Sequence, residues 1–144
     1  MNNIIENNKL IAEFMGSLFI NEPYKDKDGN VKDYWYWTKP NCDYPKSIGI
    51  GELSTAWGIG NFHFHDDWNW LMSVVEKIEN LQDENNYAIY NVQIEQSFTE
   101  IIDNHTSETI IYDIYADSKI EAVYNTVIEF IKWYNEQNKN NEPL

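Results

Sequence analysis

The clearest alternation of apolar and polar positions runs from Tyr87 to Ile102. Ala88, Tyr90, Val92, Ile94 and Phe98 fall on one side, and Asn91, Gln93, Glu95, Ser97 and Thr99 on the other. A period of two predicts one long half-buried strand here. After Asp103-Asn104-His105-Thr106-Ser107, Ile110, Tyr112 and Ile114 resume the pattern, so the spacing predicts an antiparallel hairpin turning near His105. On that register Glu95 and Asp113 share one solvated, acidic face.

A period of 3.6 governs the residues just before this run. Trp68, Leu71, Met72, Val75, Ile78 and Leu81 recur at helical spacing behind Asp66 and Asp67, either of which can cap a helix N-terminus. A short strand through Phe62–His65 is expected to lead into this helix. Trp70 points away from the centre of the stripe, so it either packs on a second layer or is exposed. Residues 1–16 predict another helix, with Leu10, Ile11, Phe14 and Met15 on one face and Gly16 where a left-handed terminating residue belongs. A last helix opens at Asp117, or at Ser118 with Glu121 in capping-box spacing, and runs to about Asn135. Its stripe is Ile120, Val123, Tyr124, Val127, Ile131 and Tyr134, widened by Phe130 and Trp133.

Leu18–Tyr24 and Val31–Trp37 flank Asp26-Lys27-Asp28-Gly29-Asn30, whose Asp-Gly step predicts a hairpin. Within Tyr34-Trp35-Tyr36-Trp37 alternate residues take opposite faces, so Trp35 and Trp37 share a side. That pair is either covered or exposed as an interface anchor. Thr38–Ser47 reads as loop, and Ile48–His65, with four glycines among apolar residues, as irregular strands. Together the elements predict an α+β fold: two layers, a mostly antiparallel sheet, and about three helices, two of them packed on one face. Residues 1–135 form one domain in this reading, and 136–144 a frayed polar tail.

Charge narrows the function. The 144 residues carry a formal charge of −14, and all ten basic residues are lysines. Residues 78–118 hold nine acids (Glu79, Asp83, Glu84, Glu95, Glu100, Asp103, Glu108, Asp113 and Asp117) and no base. A field of this sign repels nucleic acid and anionic lipid and attracts basic partners. The absence of arginine removes the bidentate fork that suits phosphate best. The single cysteine, Cys42, excludes an internal disulfide and fits a reducing compartment. The first residues lack a basic, apolar leader pattern and no run of eighteen apolar residues occurs, so the expected location is the cytoplasm.

Three chemical motifs are incomplete. Counted from Asp26, a calcium loop would place its glycine at Val31 and its bidentate glutamate at Trp37. His63-Phe64-His65-Asp66-Asp67 begins like the H-x-H-x-D pattern of di-metal hydrolases, but Trp68 stands where the next histidine belongs. No metal or other cofactor is therefore assigned; were one bound, His63, His65 and Asp67 would be its ligands. The Glu95 and Asp113 carboxylates have nothing to set their pKa values apart, so acid-base catalysis is not assigned to them.

Three blocks carry a family likeness: Lys9-Leu10-Ile11-Ala12-Glu13-Phe14-Met15-Gly16; His65 with Trp68-Asn69-Trp70-Leu71-Met72 and Val74-Val75-Glu76-Lys77-Ile78-Glu79; and Ser118-Lys119-Ile120-Glu121-Ala122-Val123-Tyr124 with Glu129-Phe130-Ile131-Lys132-Trp133-Tyr134-Asn135. They cover about a third of the chain. In them the sequence resembles small uncharacterised acidic proteins of bacteriophages and prophages of Bacteroidetes hosts. The resemblance implies a setting, a phage accessory protein in the host cytoplasm, and brings no activity or catalytic residue with it.

The leading expectation is a binding protein: an acidic inhibitor, of the anti-CRISPR kind, of a host nucleic-acid-handling or defence protein with a basic surface. Its contact residues are expected among Glu95, Glu100, Asp103 and Asp113 with Trp35, Trp37 and Trp70. Direct nucleic-acid binding and membrane association are not expected. A self-associating phage structural protein, for example a homodimer, is the alternative, and a metal-dependent hydrolase the third reading.

Overall fold

The computed structural model describes residues 3–17, 19–37, 62–96 and 98–140, without the side chains of 19–22, 33–37, 113 and 140. The expected loop at Thr38–Ser47, most of the glycine-rich stretch after it, and Cys42 lie outside the described residues. Three helices and two antiparallel sheets among them give an α+β protein. The chain divides into two compact units, residues 1–63 and 64–144.

The first unit contains helix α1 (Ile4–Phe14) and the strands β1 (Phe19–Lys25) and β2 (Val31–Trp37). Gly16 ends α1 as its position predicts. With φ of 89° it turns the chain so that its own N–H reaches Glu13 O at 3.1 Å and the Ser17 N–H reaches Ala12 O at 2.9 Å. Ile11, Ala12 and Met15 are fully buried, and the buried Asn8 donates through Nδ2 to Phe62 O at 3.1 Å. β1 and β2 pair antiparallel from Phe19↔Trp37 to Lys25↔Val31, as the Asp-Gly step predicts. Asp26 organises the turn, its Oδ1 accepting from the N–H groups of Asp28 and Asn30, both at 2.9 Å. That carboxylate is thereby engaged in the backbone of the turn.

The second unit is built from α2 (Trp68–Glu79), β3 (Tyr90–Ile94), β4 (Phe98–Asp103), β5 (Thr109–Tyr115) and α3 (Lys119–Asn140). The strands form one antiparallel sheet in the order β3-β4-β5, and Gln82 bridges Ala88 just before it. α3 packs on β4 and β5, α2 packs on β3, and the two helices touch each other, so both lie on one face of the sheet. Between the layers sit Tyr90, Val92, Ile101 and Ile111 from the strands, Leu71, Val74 and Ile78 from α2, and Val123, Val127 and Ile131 from α3. Thr126 Oγ1 lies 2.8 Å from Ala122 O and 3.2 Å from Thr99 O, a polar link from α3 to β4 inside this core.

Several expectations are corrected here. Tyr87–Ile102 is two strands, because the chain reverses after Ile94; the Glu95 N–H donates to Phe98 O at 2.9 Å and closes the turn. The reversal changes the phase, so Tyr90 and Val92 face the helices on β3 whereas Thr99 and Ile101 do so on β4. On β5 the pairing with β4 shifts twice, between Thr99 and Ile101 and between Ile101 and Ile102. An inserted residue sends its successors to the opposite face. Ile111 is consequently buried, and Tyr112, expected inward with Ile110 and Ile114, is 73% exposed. Residues 62–66 hold a turn at 64–66 in place of the expected strand. α3 continues to Asn140, five residues beyond the expected end, so the frayed tail does not begin at Glu136.

Both expected caps of the second unit form. Asp67 Oδ1 accepts from the Asn69 N–H at 2.8 Å, and Ser118 Oγ from the Glu121 N–H at 3.3 Å. The buried stripe of α2 is rotated from the expected one: Trp70, Leu71, Val74, Val75 and Ile78 face inward, and Trp68 and Met72 are exposed.

Candidate functional site

His63, His65 and Asp67 do not stand on one strand, since the turn at 64–66 separates them. His65 Nε2 lies 3.5 Å from Asp66 Oδ2, and Asp67 directs Oδ1 to the start of α2. Among the described residues, no group of three or more His, Cys, Asp or Glu is placed to hold a metal ion. Cap formation explains Asp67, as a helix N-terminus favours a short acidic side chain there.

The proposed contact residues separate when they are placed on the fold. Glu95 is exposed in the β3–β4 turn. Asp103 ends the same hairpin at the far end of β4, about 16 Å away at the usual rise per strand residue. Its Oδ1 accepts from the N–H groups of His105 at 2.7 Å and Thr106 at 3.1 Å. The Asp103 carboxylate thus holds a turn through Oδ1. Glu100 pairs with Gln93 in mid-sheet, on the face away from the helices. The side chains of Asp113, Trp35 and Trp37 lie outside the described residues.

Trp70 is corrected outright. It is 1% exposed, with its ring edge-on to Phe64 at 4.9 Å between centroids, and it presents nothing to a partner. Of its two expected positions, packing in a second layer is the one realised. Trp68, expected in the stripe, is the indole at the surface of α2.

The helix-free face of the sheet carries aromatics that the alternation pattern did not assign. Tyr112 and Tyr115 are 73% and 67% exposed. Tyr115 pairs with Phe98 across the sheet, their rings 5.4 Å apart, and Tyr112 lies in the bulge opposite Glu100. The adjacent Ile110-Ile111 pair is the one sequence signal for this reversal, because two apolar neighbours cannot both satisfy a strict period of two.

At the other end of the sheet two aspartate-led turns meet. Asp83 Oδ1 accepts from the N–H groups of Asn85 at 2.8 Å and Tyr87 at 3.0 Å, and Asn86 takes a left-handed φ of 67°. Ser107 does the same at 63° in the turn led by Asp103. His105 Nε2 reaches Asp83 Oδ2 at 3.0 Å, and Asn104 bonds to Ala88 O and Ile89 O, so the turns are tied together. The Tyr87 N–H above all holds the Asp83 carboxyl below its ordinary range, with the Asn85 N–H and His105 adding to it against an opposing effect of partial burial. In the core, burial pushes the Tyr90 and Tyr124 phenols up.

Comparison with known protein families, with curated proteins and with solved structures finds no match to this chain. Among the described residues no helix is long and apolar enough to cross a membrane.

Proposed function

We propose that the protein acts by binding, as an acidic accessory protein that occupies a basic surface on a host nucleic-acid-handling or defence protein and inhibits it, in the manner of an anti-CRISPR. The observation that carries this reading is the exposure of Tyr112 and Tyr115 within the 78–118 segment, which holds nine acids and no base. Exposed tyrosines supply contact area at small conformational cost, and a net negative field steers a basic partner toward them. An inhibitor of this kind needs no bond-making residue. The resemblance of the three sequence blocks to phage and prophage proteins supports an encounter in the bacterial cytoplasm.

Affinity capture of the tagged protein from host cells tests the proposal. It should recover a partner with a basic surface, and recovery should fall steeply between about 50 mM and 500 mM salt as the attraction is screened. Recovery that does not change with salt, or an acidic partner, would falsify it. The exposed tyrosines also favour a second reading, a self-associating phage structural protein. Light scattering on a dilution series separates the two: a mass that falls on dilution favours self-association, and a constant monomer mass favours a foreign partner.

A further inference from the structure

We infer that the helix-free face of the β3-β4-β5 sheet is the docking site itself, and that its occupant is a protein segment presenting lysine or arginine side chains to Tyr112 and Tyr115. This rests on the binding reading above and adds to it a location and a recognition chemistry. α2 and α3 cover the opposite face, and the two phenols are 73% and 67% exposed. Large aromatics on an open sheet face are an interaction feature more often than a solubilising one.

Charge selects the occupant. Glu100 faces the Tyr112 bulge from β4, and Glu95 is exposed in the turn whose backbone bonds to Phe98, the ring that packs on Tyr115. No lysine or arginine occurs between residues 78 and 118. An ammonium or guanidinium group over a tyrosine face is attracted by the ring and by neighbouring carboxylates together. An acidic or purely apolar segment gains only part of that. A second copy is a poor occupant, because each copy carries −14 and would set the same carboxylates against each other. Tyr112 and Tyr115 are three residues apart on β5, roughly 7 to 10 Å, which suits two cationic side chains, one per ring.

The test is a titration of isotope-labelled protein with a ten-residue peptide of alternating lysine and serine, followed by NMR. The expected result is that the resonances of Tyr112, Tyr115 and Phe98 shift together and that acetylation of the peptide lysines abolishes the effect. Y112S/Y115S, two changes at exposed positions, should weaken binding about fivefold or more, and Y112F/Y115F, which keeps the rings, should retain it. Shifts confined to Asp83, Glu84 and Glu108 at the opposite end of the sheet would overturn this site while leaving the acidic-binding reading intact. Equal binding of the acetylated peptide would overturn the cationic occupant. Absence of any shift, together with a salt-insensitive or empty capture from host cells, would remove both the site and the reading beneath it.

Discussion

Trp68 and Trp70 stand two positions apart on α2 and meet opposite surroundings. Trp70 is sealed against Phe64 with 1% exposure, whereas Trp68 is 40% exposed. Replacing Trp70 with alanine should cost about 3 to 5 kcal/mol, from lost burial and the cavity left behind. Trp68→Ala should cost less than half as much, and urea denaturation of the two variants measures the difference. Asp83 is a residue of another kind, significant for its charge. Its folded-state pKa lies below the ordinary 3.8, so its contribution to stability is present above that value and lost as the pH falls through the lower folded one. A carbon-13 titration of its carboxyl should give a midpoint below 3.8. In His105→Ala the midpoint should rise only part of the way, since the Tyr87 N–H is the larger cause and stays in place.

At the scale of elements, the helices were legible and one strand phase was not. Capping residues act locally, so Asp67 and Ser118 could be found from side-chain chemistry and spacing, and both accept the expected N–H groups. Ser118→Ala should therefore destabilise the protein by about 1 kcal/mol, read as a shifted denaturation midpoint with an unchanged slope. The Asp26–Asn30 hairpin was legible for a similar reason, as the Asp-Gly step places a residue that tolerates positive φ where the turn requires it. β5 was not, because its two shifts depend on which β4 residue faces which, a non-local fact that alternation along one strand does not contain. The same holds for the break after Ile94, where Gln96-Ser97 shows none of the Gly, Asn or Pro that usually marks a tight turn. The candidate surface was legible as a charge bias between 78 and 118, but its aromatic members were not. Trp70, expected either in a second layer or exposed as a contact, lies inside, and Tyr112 was expected inside and lies outside.

For the molecule as a whole, the phenols set an alkaline limit. Tyr124 is a buried residue of α3 and its pKa is raised by burial, as is that of Tyr90. The unfolded chain releases these protons first, near pH 10, so stability is complete below that value and declines as the pH climbs through the raised folded values. Base-induced unfolding should begin above pH 10, and Tyr124→Phe should move its midpoint to higher pH. The sheet also has an asymmetry with consequences beyond a single copy. Along the outer side of β3 the Val92 N–H is already taken by Glu79 Oε2 at 3.2 Å, from the end of α2. A fibril lengthens only if every member offers a receptive border at both ends. With a carboxylate acting as a stopper at Val92, the β3 border of this sheet is a poor template for a further strand, however crowded the solution becomes.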